Sequence, residues 1–171
     1  MPLVYITGIA GSGKSTVQQE LKRRGHDAYD ADEPGIGAAH DRNGLIVKVP
    51  DASERSPDWF QRHSWRMIDG ALERLQLKAE TDYVFLCGAV TSAEDRGLFA
   101  QTICLDIDEA TLRTRLASRE GNDFGQSQHE LARILEVHKT ATENYRQKGA
   151  AVVDATRPLH EVVDAILALV N

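Results

Sequence analysis

The sequence predicts an α/β protein in which one parallel β-sheet is covered by helices on both faces. Short apolar runs typical of buried strands alternate along the chain with longer segments of helical periodicity. Strands separated by helices favour parallel pairing, because the chain must cross over the sheet before the next strand begins. A length of 171 residues with 42% hydrophobic residues suits one core, so we expect residues 1–171 to form a single domain.

The predicted elements follow one another in a regular order. Strands are expected at residues 3–7, 26–30, 82–87, 101–106 and 151–154, and helices at residues 14–24, 57–79, 108–119, 127–147 and 158–170, with a weaker helix at 93–99. Ser127 and Glu130 form a capping box at the start of one helix. Residues 31–56 interrupt the alternation, and the sequence DRNG at residues 41–44 predicts a small hairpin.

Charge and composition restrict the partners of the chain. A net charge of −6 provides no long-range attraction to nucleic acid or to an anionic membrane, so we expect neither as a partner. No apolar run approaches the roughly 18 residues of a membrane span, and the first residues lead into a strand, which predicts a cytoplasmic location. Cys87 and Cys104 lie in apolar strand patterns, which predicts buried free thiols.

The most specific motif is GIAGSGKST, residues 8–16, between the first predicted strand and the first predicted helix. Gly8, four further residues and Gly13-Lys14-Ser15 complete the phosphate-loop pattern with both of its required flanks. The glycines allow backbone N–H groups to face phosphate oxygens, and the following helix contributes its positive N-terminal end. Lys14 can reach the β- and γ-phosphates, and Ser15 can bind Mg²⁺. The predicted nucleotide-binding residues of the loop are Gly8, Gly11, Ser12, Gly13, Lys14, Ser15 and Thr16.

Together with this loop, the order of elements over nearly the whole chain resembles the nucleoside and nucleotide kinase-like branch of the P-loop proteins. That branch includes adenylate kinase, shikimate kinase and gluconate kinase. The resemblance implies a three-layer P-loop NTPase fold, a five-stranded parallel sheet in the order 2-3-1-4-5, and a short lid. It also implies ATP and Mg²⁺ as the cofactors.

A second match with this branch is LDIDEATLRTRLASRE, residues 105–120. It is similar to the strand and helix that lead such kinases into their lid, which would be residues 119–127 here. The resemblance gives Arg119 a contact with adenine or phosphate, and a planar guanidinium is suited to both. Arg113 and Arg115 either belong to the same site or form a solvated, ion-paired helix face.

A third match, VVDATRPLHEVV at residues 152–163, resembles the loop that surrounds adenine in these kinases. The resemblance places Thr156 and Arg157 beside the base. The same pattern also fits an ordinary connection between a strand and a helix.

The segment YDADE, residues 29–33, ends the second predicted strand, which the implied strand order places beside the phosphate loop. Shikimate kinase has a similar pair of aspartates, which implies that Asp30 supports Mg²⁺ and that Asp32 meets the acceptor hydroxyl. The alternative for Asp32 is a turn or cap residue. The third strand departs from the pattern, because many relatives have an aspartate where this chain has Cys87-Gly88. Gly88 would allow the acceptor to approach the backbone.

We expect an acceptor-binding insertion over residues 31–79. On a helix at 57–79, an apolar stripe would face the core, consisting of Trp65, Ile68, Leu72, Leu75 and Ala79. The opposite side would carry Trp59, Arg62, His63 and Arg66, which we interpret as a substrate-binding face. Arg62 and Arg66 would meet an anionic group and Trp59 or His63 would pack on a ring, unless this face is only solvated.

These observations favour an ATP-dependent phosphotransferase with a small-molecule acceptor. Lys14, Asp32 and Arg119 would be its catalytic residues, with Asp32 orienting or deprotonating a hydroxyl. The acceptor would be a nucleoside, a nucleotide or a metabolite of the shikimate or gluconate type. The alternative from another class is a regulatory nucleotide-binding ATPase that has no acceptor. The sequence does not indicate an oligomeric state.

Overall fold

The computed structural model describes residues 3–79, 82–90, 97–120 and 122–170. The strands are β1 (Leu3–Thr7), β2 (Asp27–Asp30), β3 (Gly37–His40), β4 (Ser64–Met67), β5 (Val84–Cys87), β6 (Gln101–Asp106) and β7 (Ala151–Asp154). The helices are α1 (Lys14–Arg23), α2 (Pro57–Arg62), α3 (Ala71–Lys78), α4 (Glu109–Ala117), α5 (Gln128–Gln147) and α6 (Leu159–Val170), with a short 3₁₀ turn at Ala52–Glu54.

The main sheet has five parallel strands in the spatial order β2-β5-β1-β6-β7. When only these five strands are numbered along the chain, the order is 2-3-1-4-5, as predicted. The labels differ because β3 and β4 form a separate antiparallel pair. β1 occupies the centre, where all five of its residues are buried.

The two faces of the sheet support two hydrophobic clusters. Successive side chains of a strand point to opposite faces, so Val4 and Ile6 of β1 join one cluster while Leu3 and Tyr5 join the other. The first cluster includes residues of α1, α4, α5 and α6, and the second includes residues of α3. Helices therefore cover both faces, and the predicted α/β fold class is confirmed.

The predicted continuous helix over residues 57–79 is wrong. The chain instead forms α2, then the strand β4, then α3. The Ser56 side chain caps α2, His63 at its end is extended, and Gly70 before α3 has a φ of 73°. Periodicity missed the break because the strand between the helices depends on pairing with β3, nearly thirty residues earlier in the chain.

The predicted turn at residues 41–44 is present. The Asp41 N–H donates to the Leu45 carbonyl at 2.9 Å, and the Gly44 N–H donates to the Asp41 carbonyl at 3.1 Å. A single antiparallel bridge joins His40 to Ile46 beyond this turn. The more extensive partner of β3 is β4, so the hairpin is only one part of a small sheet beside the main one.

The remaining sequence predictions have different outcomes. Cys87 and Cys104 are buried free thiols, as predicted. The weak helix predicted at 93–99 falls mainly on residues 91–96, which lie outside the described residues, and residues 97–99 are not helical. Within the described ranges, every helix is too short or too polar to cross a membrane. The assignment of residues 1–171 to a single domain stays a prediction.

The small sheet approaches the main one closely at Gly37. A Cβ at this position would lie 2.3 Å from the Ala31 carbonyl oxygen and 2.8 Å from Trp65 Nε1. We expect Gly37→Ala to lower the free energy of unfolding by about 1–3 kcal/mol, because backbone atoms must shift to admit the methyl group. Ala38→Ser, on the other face of β3, should change it by less than about 0.5 kcal/mol. Equal denaturant midpoints for the two variants would contradict this packing.

Candidate nucleotide and acceptor site

A cavity of about 880 Å³ lies at the carboxyl ends of the main-sheet strands. It is lined by the loop after β1, by Asp30 and Asp32 at the end of β2, and by Gly88 after β5. Ala155 after β7 contributes from the other side. Ligands of open α/β sheets bind at this edge.

The phosphate loop has the shape that a polyphosphate requires. Gly8 adopts a φ of 145°, and a Cβ there would lie 2.7 Å from Ser12 Oγ and 2.8 Å from the Leu105 carbonyl oxygen. Ser12 Oγ is buried and has no hydrogen-bond partner among the residues that the structure describes. α1 begins at Lys14, so the unpaired N–H groups of its first turn lie at the loop. Ser15 and Thr16 line the cavity with exposed side chains.

Lys14 is held by the loop itself. Its Nζ donates to the Gly8 carbonyl at 2.8 Å and to the Ile9 carbonyl at 2.7 Å. Burial lowers its pKa to about 8, Asp32 opposes this effect, and Arg119 adds to it. The protonated amine therefore lacks a full counter-charge, which the phosphates of a nucleotide would supply.

Asp30 and Asp32 both line the cavity. The Asp32 N–H donates to Asp30 Oδ1 at 3.0 Å, so the chain turns between them rather than continuing as an extended strand. Burial raises the pKa of Asp32, and the nearby charge of Asp30 raises it further, against the opposing effects of Lys14 and Arg119. The structure thus brings together the three predicted catalytic residues.

Ala31 fixes the backbone between these aspartates. Its N–H donates to the Cys87 carbonyl at 2.8 Å, and its carbonyl accepts from Trp65 Nε1 at 3.2 Å. A Cβ on Gly88 would lie 2.3 Å from the Ala31 Cβ. The packing of Ala31 is therefore one reason for glycine at position 88, in addition to the predicted approach of an acceptor.

Cys87 lies in the place at the end of the third main-sheet strand where many of the kinases that this chain resembles have an aspartate. Its side chain is fully buried, and burial together with Asp30 raises its pKa, so the thiol remains neutral. Within the described ranges, no group of three or more His, Cys, Asp or Glu residues is placed to hold a metal ion. Ser15 and Asp30 are nevertheless both at the cavity, which suits a cation that is also held by phosphate oxygens.

The two residues predicted beside the base are placed differently. Arg157 lines the cavity and pairs with Glu161, with Nη2 and Oε2 2.5 Å apart. Thr156 is not among the described residues that line the cavity. Its N–H and Oγ1 both donate to Asp154 Oδ1.

The structure separates Arg113 from Arg115. Arg113 forms an exposed ion pair with Glu109. Arg115 lines the cavity, donating from Nη2 to the Ala155 carbonyl at 2.8 Å and from Nη1 to the Ser12 carbonyl at 3.3 Å. It thereby connects the phosphate loop to the loop after β7.

The acceptor end of the cavity is only partly as predicted. Trp59 and His63 line it, with their rings stacked at a centroid distance of 4.6 Å. Neither Arg62 nor Arg66 is among the described residues lining it. Arg62 Nε donates to the Asp58 carbonyl and Arg66 Nε to Ser64 Oγ, and both side chains are exposed.

The break in the predicted helix explains this correction, because Arg66 belongs to β4 and not to the turn after Arg62. We use the name acceptor wall for residues 55–65. Trp65 lines the cavity from this wall instead of lying on a helical core stripe. Lining residues that the sequence did not indicate as part of the site include Arg55, Phe60, Phe124 and Arg133.

Lys14 provides a pH test of the site. Bound phosphates should raise its lowered pKa, so between about pH 8 and 9 nucleotide binding should take up as much as about one proton. Affinity should fall as the pH rises through about 8, where the free amine loses its proton. Calorimetry with MgATP in buffers of different ionisation enthalpy measures this uptake. Lys14→Ala should abolish it, and an unchanged uptake in that variant would assign the proton to another group.

Comparisons with known proteins agree with this architecture. A family model described as AAA domain matches residues 4–136. A "Nucleotide-binding protein" of Salinispora arenicola is 25% identical over 154 residues, which are 90% of this chain and 46% of that protein. The chain therefore spans less than half the length of this curated relative.

Solved structures show the same fold. Shikimate kinase from Acinetobacter baumannii in complex with shikimate aligns with a TM-score of 0.62 at 15% identity, over 99% of this chain and 92% of that one. A gluconokinase from Sinorhizobium meliloti aligns with a TM-score of 0.54 at 22% identity, over 98% of this chain and 90% of that one. The fold is thus that of the P-loop nucleotide kinase-like proteins. The family model described as AAA domain matches more than half of this chain, so the chain belongs to the AAA domain family.

Proposed function

We propose that the protein is an ATP-dependent kinase that transfers the γ-phosphoryl group to a small acceptor molecule. The observation that carries this proposal is that the phosphate loop with Lys14, the carboxylate of Asp32, Arg119 and the acceptor wall all line one cavity. Structural neighbours of this fold are kinases of shikimate and gluconate. The acceptor would be a nucleoside, a nucleotide or a metabolite of the shikimate or gluconate type.

The nucleotide end would hold MgATP through the phosphate loop. Lys14 would leave the loop carbonyls and bind the β- and γ-phosphates, while Ser15 and Asp30 would hold Mg²⁺, directly or through water. When bound, Mg²⁺ supplies positive charge that neutralises the phosphates. Arg119 would lie over adenine or reach the phosphates, and Arg157 would border the base.

Asp32 would act on the acceptor. Its carboxylate would accept a hydrogen bond from the acceptor hydroxyl and take the proton as the oxygen bonds to the γ-phosphorus. The bond from that phosphorus to the bridging oxygen breaks, and ADP leaves with the electron pair. A raised pKa makes Asp32 a stronger base than an ordinary aspartate, since its carboxylate holds a proton more tightly.

The acceptor wall would pack on a ring or an apolar face of the acceptor through Trp59 and His63, with Gly88 on the opposite side. Arg133 lies over the Phe60 ring at 5.5 Å and lines the cavity, so it takes the place that the sequence suggested for Arg62 and Arg66 as the contact for an anionic group. We also propose a cytoplasmic location. The net charge of −6 supports the absence of nucleic-acid and membrane partners.

A regulatory nucleotide-binding protein without an acceptor is the second candidate. Two observations favour it: Cys87 stands where related kinases often have an acid, and the curated relative is described only as a nucleotide-binding protein that is about twice as long. Such a protein would consume ATP at a rate independent of any metabolite.

Asp32→Asn separates the two functions. An amide keeps the shape of the carboxylate but cannot take a proton, so acceptor-dependent ADP release should fall by about 10² to 10⁴ while MgATP affinity stays within about threefold. Asp27→Asn removes the same charge at the exposed start of β2 and should leave both quantities unchanged. The measurement is ADP release with a panel of nucleosides, nucleotides, sugar acids and shikimate-like alcohols. If no member stimulates release from the parent protein, the regulatory function replaces the kinase.

A further inference from the structure

The acceptor wall includes α2, a helix whose own side chains do not fix its position in the core. α2 has six residues, and none of them is buried. Most helix stability in proteins comes from packing of an apolar face, and six residues are far below the length at which a helix forms alone. The position of α2 therefore depends on contacts that side chains of the wall make elsewhere.

Those contacts run to the lid segment, which we define here as residues 119–120 and 122–127, and to the start of α5. The Phe60 and Phe124 rings have a centroid distance of 5.6 Å, and the Arg133 guanidinium lies 5.5 Å from the Phe60 ring. His129 Nε2 donates to the Arg55 carbonyl at 2.6 Å. Both ends of α2 are thus attached to the same neighbouring region.

Arg55 is the centre of this attachment. Its side chain is buried, with Nη2 donating to Asp123 Oδ1 at 2.7 Å and Nε 3.0 Å from Glu130 Oε1. Glu130 is fully buried, and its Oε2 accepts from the Gly125 N–H of the lid segment at 3.0 Å. The residue predicted as a helix cap is therefore also the anchor of Arg55.

The buried ion pair of Arg55 and Glu130 restricts where the two segments can lie more than it stabilises the protein. Removing two charges from water is costly, so such a pair adds little net stability, but it strongly disfavours arrangements in which one partner is left alone. Separation of the wall from α5 would leave Glu130 buried without its cation. The lid segment shares this anchor, because Asp123 binds the same guanidinium and the Gly125 N–H binds the same carboxylate.

We propose that Arg55 is a positioning residue that fastens the acceptor wall and the lid segment to the same point of α5, so that the two become ordered together and nucleotide binding orders the acceptor site. Arg119 belongs to the lid segment and lines the cavity, and its charge acts on Lys14 of the phosphate loop, so a bound nucleotide would contact these linked segments directly. The inference rests on the nucleotide site of the proposed function but not on phosphoryl transfer. Because coupling between two sites is reciprocal, an acceptor in the wall must strengthen nucleotide binding by the same factor.

Hydrogen exchange of the full chain tests the fastening without any ligand. Arg55→Lys keeps the charge but cannot bind both carboxylates in the same planar geometry. Asp123→Asn removes one exposed partner and leaves Glu130 in place. Both variants should exchange faster than the parent in peptides from the acceptor wall and from the lid segment together, with unchanged exchange in β1 and β5. Faster exchange in the core as well would mean that Arg55 is merely structural.

A second hydrogen-exchange experiment repeats the measurement with Mg²⁺ and a non-hydrolysable ATP analogue. In the parent protein, the analogue should protect the lid segment and the acceptor wall alike. In Asp123→Asn, the lid segment should remain protected, while the added protection of the wall falls by about fivefold or more. Glu120→Gln is the matched control, because it removes a carboxylate from an exposed position of the same segment and should behave as the parent.

The outcomes separate this inference from the proposed function. Protection of the lid segment without protection of the wall in the parent protein would overturn the coupling. So would equal wall protection in the parent protein and in Asp123→Asn. Calorimetry showing that the analogue does not bind would overturn the proposed function and nucleotide coupling, and the ligand-free exchange would then decide the fastening alone.

Discussion

The two aspartates reach the cavity because Ala31 is confined between the ends of two strands and the small sheet. The Cys87 carbonyl fixes its N–H, and the Trp65 indole fixes its carbonyl. Gly88 and Gly37 pack so closely against Ala31 that a Cβ at either glycine would clash with it. This packing sets the direction of the turn that presents Asp30 and Asp32. It also joins the acceptor wall to the main sheet, since Trp65 of the wall donates to the carbonyl of Ala31, directly after β2.

The charges at the cavity form one interacting group. Burial lowers the pKa of Lys14 and raises the pKa of Asp32, so both side chains favour their neutral forms more than they would in water. Each partly offsets the shift of the other. Such a site can bind an anion beside Lys14 and take up a proton on Asp32. A phosphoryl donor would bring the anion, and an acceptor hydroxyl would bring the proton.

Aromatic side chains are concentrated at the acceptor end. Aromatic residues are only 6% of the chain, yet both tryptophans line the cavity together with Phe60 and Phe124. Phe60 of the wall and Phe124 of the lid segment pack across the gap with a centroid distance of 5.6 Å. Arg55 lines the same cavity, and its ion pairs with Asp123 and Glu130 link the wall to the lid segment and to α5.

The sequence by itself determined the α/β class and the phosphate loop, because each depends on local patterns or on a short motif with fixed flanks. The resemblance to the P-loop kinases supplied the strand order of the main sheet. It also indicated Asp30, Asp32 and Arg119 at one edge of the sheet. Only the tertiary structure decided the break in the helix at 57–79, because β4 exists through pairing with distant β3. For the same reason it replaced Arg62 and Arg66 at the cavity by Arg55 and Arg133, whose positions are set by contacts between segments far apart in the chain.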